Sequence, residues 1–419
     1  MGMASREAVS VPWGAWYAET ALPLPLPATW QVEVLKHCRR PALTPAQIST
    51  ELRSPRSFPG WKEWCPGQPQ VAIAVDDSAR PTLAGPVLDE LLPIFGELGI
   101  STAQISIIVG VGTHSPPDTA RIAAKVGPRA DRDCRIEIHD PHGNLADTGL
   151  PYGDRTLRLN RTFCEATLKI CIGSVLPHPF AGYGGGAKML VPGLSDVATT
   201  DRSHKFVLMG LRGGANPNSN TFRTEIEQLV RPLGPILAVQ CVPNHERQTC
   251  ALFAGDLVAA HRAACDFAAT ALATPIAGEY DCLILNAYPK DLDLLQSQGA
   301  LVSLKTLPRS PLREGGVAVL TTAASTGVGV HELFGPGGIS QRPPRPLREF
   351  TGRELWVFAP GLQADDLRWY FHESVRFFSA MPELIAALHE RLGPRARCGI
   401  APVAPLQQFV EADGLRERE

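Results

Sequence analysis

The stretch His178-Pro-Phe-Ala-Gly-Tyr-Gly-Gly-Gly-Ala-Lys188-Met-Leu-Val-Pro-Gly193 gathers the groups best suited to chemistry, and His204 follows on a predicted helix. Gly184, Gly185 and Gly186 lack a Cβ, so their backbone N–H groups can approach a phosphate or a flat cofactor closely. A P-loop needs Gly before its Lys and Ser or Thr after it. Here Ala187 and Met189 flank Lys188, which argues against an ordinary nucleoside-triphosphate site. A glycine run alone reads as a tight turn. A Lys in the same loop, with one His ten residues before it and another sixteen after, points instead to a ligand.

Two further groupings stand at predicted strand ends. Asp76-Asp77-Ser-Ala-Arg80-Pro81 closes the first strand, where Arg80 could clamp a carboxylate bidentately and Asp77 could orient it. Taken alone, the pair also reads as a surface ion pair beside a turn. Gly110-Val-Gly-Thr-His114-Ser-Pro-Pro117 closes the next, and its His is suited to proton transfer near neutral pH, although a lone His is more often structural. His139 and His142 read as turn residues. His37, His245, His261, His331, His372 and His389 have no supporting neighbours in sequence.

The elements that must position these groups alternate. Strands are predicted at 71–75, 105–111, 135–139 and 167–175, with helices at 85–98 and 118–126 between the first three. Helices follow at 196–208 and 221–233, a strand at 236–242, and a long helix from 256 to 272. After a polar break at 274–279 the alternation resumes with strands at 281–285, 316–321, 354–358 and 398–400 and helices at 292–307 and 382–392. Residues 335–346 read as a loop. Residues 1–70 carry five of the seven Trp and read as short strands and irregular wrapping. The fold class expected is α/β: two α/β domains with mostly parallel sheets and an interdomain active-site cleft. The domains expected are 1–273, carrying the histidines, and 280–403, with a tail at 404–419.

Composition narrows the function classes. The chain has 419 residues, 44% hydrophobic and 20% charged, with a net charge of −2, the balance of a soluble globular protein without a nucleic-acid footprint. No apolar run approaches the ~20 residues of a membrane span. The ten Cys are scattered without a C-x-x-C pair, and the opening residues lack an apolar signal core, so a cytoplasmic location is expected.

Taken in order, Asp77-x-x-Arg80-Pro81, Gly-x-His114-x-Pro, His178-x-Phe-Ala-Gly-x-x-Gly-Gly-x-Lys188-x-x-x-Pro-Gly193 and His204 resemble the lactate racemase superfamily, nickel-pincer-nucleotide enzymes acting on 2-hydroxy acids. The segments Ala254–Phe267 and Tyr288-Pro-x-Asp291, with Gln296 downstream, are similar too, so the resemblance runs from about residue 70 to the C-terminus.

The resemblance implies roles position by position. Lys188 would hold the cofactor, a pyridinium-3,5-bisthiocarboxylic acid mononucleotide carrying nickel, through a thioamide as in the family prototype; Gly184, Gly185, Gly186 and Tyr288 would line it. His204 would be the protein ligand to nickel. His114 and His178 would be the acid/base pair, one on each face of the substrate carbon. Arg80 would bind the substrate carboxylate, with Asp77 and Gln296 supporting substrate. The implied activity is racemisation or epimerisation by proton-coupled hydride transfer through a 2-oxo acid. Two histidines are needed because the hydroxyl proton leaves on one side and returns on the other. The implied partners are the small 2-hydroxy acid and, transiently, the proteins that make the cofactor, with no nucleic acid and no membrane. Two departures argue against lactate itself and for a larger or more polar acid: Gly299 stands where the lactate-using pattern has a Lys, and Ala187 where it has an Arg. Lys290 or Lys305 could supply the missing cation. The competing readings are an oxidoreductase that releases the 2-oxo acid and a non-catalytic nucleotide or nickel binder.

Overall fold

The computed structural model describes residues 9–37, 39–65, 67, 69–205 and 217–412. The chain falls into two compact units. The central unit holds Arg39–Ala271 together with His331–Leu333; the distal unit holds 9–37, 272–330 and 334–412.

The central unit is built on a six-stranded sheet in the order Thr249–Asp256, Ile236–Pro243, Leu168–Ser174, Val71–Asp76, Ile105–Gly110, Arg135–Ile138. All neighbours are parallel except the 249–256 edge strand, which pairs antiparallel. Val71–Asp76 is buried along its whole length, as expected of a parallel strand covered on both faces. Its alternate residues feed two cores: Ile73 and Val75 pack with Leu88, Leu91 and Phe95 of helix Gly85–Glu97. Ala72 and Ala74 pack with Leu190, Phe222 and Ile226 on the other face. The strand order reverses between Val71–Asp76 and Leu168–Ser174, which makes their carboxyl ends a topological switch point, where open α/β sheets bind ligands.

Three helices near these ends are capped by side chains that satisfy their first free N–H groups. Asp118 accepts from Arg121 N–H at 2.8 Å, Asp196 from Thr199 N–H at 2.9 Å and Asn220 from Arg223 N–H at 2.9 Å. The capped helices are Thr119–Val126, Val197–His204 and Thr221–Val230. The part of the predicted 196–208 helix from 206 onward lies outside the described residues.

The distal unit carries a second six-stranded sheet, parallel throughout, in the order Arg376–Phe378, Glu354–Phe358, Leu312–Thr321, Tyr280–Asn286, Arg397–Ala401, Gln31–Val34. The α/β class with mostly parallel sheets is therefore correct.

The division of the chain differs from the expected one in two places. Residues 9–37 group with the C-terminal stretch and not with 39–271. Gln31–Val34 adds the edge strand beside Arg397–Ala401, and the Asp291 carboxylate accepts from Gly14 and Ala15 N–H at 2.8 and 3.1 Å. Residues 404–412 are not a free tail. Gln408–Glu411 pairs with Ala273–Ile276, the stretch read as a polar break, and Leu406 and Phe409 are buried. Both partners of that ladder are short and distant in sequence, so neither carries a periodic signal of its own. The predicted 292–307 helix is one α-turn, Leu294–Ser297, followed by a 3-10 run, Gln298–Lys305. The antiparallel hairpin Leu145–Tyr152 with Arg155–Asn160 was not foreseen. Among the described residues no helix is long and apolar enough to cross a membrane.

Candidate active site

The first half of the site stands on the carboxyl ends of Val71–Asp76 and Ile105–Gly110. A buried ion pair sets its base: Lys125 Nζ lies 2.7 Å from Asp76 Oδ1, while Asp76 Oδ2 accepts from Thr82 Oγ1 at 2.6 Å and Ser174 N–H at 3.1 Å. The last bond spans the switch point. Lys125 also donates to the Thr82 and Arg80 carbonyls at 2.9 and 3.4 Å, fixing the backbone that carries Arg80.

Next to this base, Asp77 Oδ2 lies 2.5 Å from His114 Nδ1, and its Oδ1 accepts from Ala79 N–H at 3.0 Å. Burial pushes the Asp77 carboxyl up, but His114, Arg80 and Lys125 outweigh it and hold the group down at about 2. Asp77 is thus ionised at neutral pH and accepts a hydrogen bond from His114 Nδ1–H. Gly110 and Gly112 let the His114 loop approach the 191–194 turn. Gly112 N–H donates to the Gly193 carbonyl at 3.0 Å, and a Cβ on Gly110 would stand 3.2 Å from that same oxygen.

The second half is the glycine loop after Leu168–Ser174. Three fully buried side chains pin it from behind. Gln240 Oε1 accepts from Gly186 N–H at 2.8 Å, His261 Nε2 donates to the Gly184 carbonyl at 2.8 Å, and Arg223 donates to the Gly185 carbonyl at 2.8 Å and to the Tyr183 carbonyl. Gly185 and Gly186 have φ of 72° and 58°. A Cβ there would stand 2.3 Å from Gln240 Oε1 and 2.8 Å from the His261 ring, so the supports and the glycines require one another. Burial pushes the Arg223 guanidinium down to about 10, which leaves it charged at neutral pH. None of these three supports was picked out from sequence. Only their packing against the loop reveals them.

Beyond that loop the reactive groups meet around one ring. Phe180, nearly buried, has its centroid 4.7 Å from that of His178 and 5.7 Å from that of His204, both edge-on. Lys188 Nζ lies 5.3 Å from the Phe180 centroid and 5.5 Å from that of Phe222, a cation held between two aromatic faces. Asn220 Nδ2 donates to the Phe180 carbonyl at 2.8 Å, so the cap of helix Thr221–Val230 also places this ring.

His178 Nδ1 accepts from Ala181 and Phe180 N–H at 3.3 and 3.5 Å, which puts the proton of the neutral ring on Nε2. His204 Nδ1 donates to the Thr200 carbonyl one turn back at 2.8 Å, leaving the Nε2 lone pair outward. Burial, and then the Lys188 charge, push His204 down to about 4, so it is neutral at pH 7.

The predicted residues Asp77, Arg80, His114, His178, Gly184, Gly185, Gly186, Lys188 and His204 all belong to the central unit. A chain of ring contacts joins His178, Phe180 and His204, and continues through His331 to His114. His331 is the residue that sequence reasoning passed over: its ring centroid lies 4.9 Å from that of His114 and 5.4 Å from that of His204. Gln296 and Tyr288 belong to the distal unit, where Gln296 N–H donates to Asp293 at 2.7 Å and Tyr288 is buried. In that unit Lys290 runs beside Gly299; a Cβ on Gly299 would stand 3.2 Å from Lys290 Cδ and 3.7 Å from its Nζ. Lys305 is elsewhere, 3.3 Å from Glu349. Buried His139 donates to the Ser195 carbonyl at 3.0 Å, and exposed His142 pairs with Glu332 at 2.8 Å. Among the described residues no group of three or more His, Cys, Asp or Glu could hold a metal ion by itself.

The model of the lactate racemase N-terminal domain matches residues 17–214. Lactate racemase of Lactiplantibacillus plantarum is 25% identical over 291 residues, 67% of this chain and 66% of that protein. Lactate racemase of Thermoanaerobacterium thermosaccharolyticum is 24% identical over 289 residues, with the same two coverages. The match thus spans just under two thirds of each curated relative's length. In fold, the chain superposes on the lactate racemase apoprotein of Thermoanaerobacterium thermosaccharolyticum with a TM-score of 0.74 at 18% identity, covering 96% of this chain and 100% of that one. A Thermotoga maritima protein gives 0.67 at 13% identity, covering 90% and 100%.

Proposed function

Because this chain belongs to the lactate racemase superfamily, we propose that it racemises or epimerises a 2-hydroxy acid with a bound nickel-pincer nucleotide. The residues present fit that group. His204 offers a neutral imidazole whose Nδ1–H is already bonded to a carbonyl, the usual arrangement of a metal-ligating His. Soft sulfur donors with one imidazole would suit Ni(II). Lys188, between two aromatic faces, would hold the cofactor covalently, and the loop of Gly184, Gly185 and Gly186 would lie against it. When bound, the group supplies the electron-poor carbon that takes the C2 hydrogen with its electron pair and returns it.

The remaining work falls to the chain. Arg80, on a backbone fixed by Lys125, binds the substrate carboxylate and keeps the acid in place while its configuration changes. Asp77 holds His114 through Nδ1, and His114 would accept the hydroxyl proton at Nε2. His178 would deliver a proton from the other side as its doubly protonated imidazolium, and the two would exchange roles in the reverse direction. Gln296 and Tyr288 are assigned to substrate and cofactor on the family pattern alone. Gly299 offers no cation, so the substrate we propose is larger or more polar than lactate. A cytoplasmic location, with transient contact to the proteins that make the cofactor, belongs to the same reading.

The observation that carries it is the opposite kind of partner at Nδ1, a carboxylate for His114 and backbone N–H groups for His178, within one ring cluster that also holds Lys188 and His204. Protein made together with the cofactor-producing proteins should contain about one nickel per chain and interconvert a pair of 2-hydroxy-acid stereoisomers from a screened panel. Accumulation of the 2-oxo acid would reassign it as an oxidoreductase. Nickel binding without turnover of any panel member would reduce it to a binder.

A further inference from the structure

His331 lies far along the chain from the other histidines, yet it sits between two of them. Its ring is tilted 59° to His114 and 67° to His204, and the residue is 3% exposed. Leu333 N–H donates to Nδ1 at 3.1 Å, which leaves the proton of the neutral ring on Nε2. Thr113 Oγ1 lies 3.1 Å from Nε2 and 3.4 Å from Nδ1, so the hydroxyl sits against the ring, off the Nε2–H axis. A ring whose Nδ1 lone pair is taken by a backbone N–H and whose Nε2 carries the proton is poorly placed to ligate a metal.

The backbone around it grips the same loop. Glu332 N–H donates to the Thr113 carbonyl at 3.0 Å, His331 and His114 form an antiparallel bridge, and the Glu332 carboxylate lies 2.8 Å from His142 Nε2. His331–Leu333 thus clasps Thr113-His114 through main chain and side chain together.

We propose that His331 is a positioning residue, a buried imidazole spacer that fixes the separation and tilt of His114 and His204. The proposal rests on the functional reading only for what those two rings do, as proton acceptor and nickel donor. The Leu333 N–H bond to Nδ1 and the Thr113 hydroxyl against the ring hold His331 in place between its two neighbours. Phe would keep the bulk and lose the orientation; Ala would open a void between the two working rings.

The test is nitrogen-resolved NMR of histidine-labelled protein purified without its cofactor, comparing wild type with His331→Ala and His331→Phe. In wild type, His114 and His204 should each show a single Nδ1–H tautomer and His331 an Nε2–H tautomer. In His331→Ala the ring resonances of 114 and 204 should broaden as the two rings sample more than one orientation, their tautomers still held by Asp77 and the Thr200 carbonyl, while the resonances of His139 and His261 stay sharp. His331→Phe, which keeps a ring in the gap if the Ala variant does not fold, should show weaker broadening at 114. In the nickel-loaded enzyme His331→Ala should lower kcat by about 10- to 100-fold with KM within about twofold, the signature of misplaced reacting groups. Sharp ring resonances at 114 and 204 in both variants would overturn the proposal. Broadened resonances in a protein that turns over no 2-hydroxy acid would uphold it and remove the functional reading instead.

Discussion

The two halves of the candidate site are held by different physics. On the Asp77 side an ionised, buried carboxylate grips His114 at 2.5 Å, above a Lys125–Asp76 ion pair of 2.7 Å. On the glycine-loop side His178 is held by two long backbone contacts of 3.3 and 3.5 Å, and order comes from Arg223, Gln240 and His261 beneath the loop. One half is charge-locked and the other is fixed by shape and hydrogen bonds. The difference sets the two tautomers: a carboxylate demands a proton on Nδ1, backbone N–H groups demand a lone pair there. Two chemically identical side chains are thereby held at Nδ1 in opposite ways.

The largest effect should come from breaking the charge lock. Asp77→Asn removes the carboxylate that selects the His114 tautomer, and kcat should fall about 10³-fold in both directions, measured by chiral assay. The same variant gives the pH signature. The folded-state carboxyl titrates at about 2, below its ordinary 3.8, so its stabilisation is complete above about 4 and disappears as pH falls through 2. Denaturant melts of wild type and Asp77→Asn should differ by about 2 kcal/mol at pH 7, and that part of the gap should close between pH 4 and 2.

A smaller effect should come from the other half, and without any acid dependence of this kind. Gly186→Ala places a Cβ against the His261 ring on a backbone with φ of 58°. We expect a loss of about 2 kcal/mol in a denaturant melt, together with weakened cofactor retention. The Asp77–His114 bond should survive, read from an unchanged His114 tautomer.

The sequence was legible where a residue's task is local. The strands Val71–Asp76, Ile105–Gly110 and Leu168–Ser174 were visible as apolar runs, and the segments after their carboxyl ends held every candidate of the central unit except His204, which lies on helix Val197–His204. It was opaque where the task depends on a distant partner. His331, Arg223 and His261 look like any other interior residue until the loop each supports is in place. The strands Ala273–Ile276 and Gln408–Glu411 become strands only by pairing with each other, and Pro275 hid the first as a break. Gln31–Val34 is likewise recognisable only as the neighbour of Arg397–Ala401. The hairpin at 145–160 mixes polar and apolar residues along a half-exposed ribbon, so its alternation is faint.

The sharpest measurement is a single-turnover comparison of His114→Asn and His178→Asn, each loaded with nickel cofactor and given one pure stereoisomer of an active 2-hydroxy acid at a time. Each variant should convert only one stereoisomer, in a burst of no more than one 2-oxo acid per nickel, and the two should choose opposite stereoisomers. Bursts from the same stereoisomer in both variants, or interconversion at the wild-type rate in either, would contradict the account.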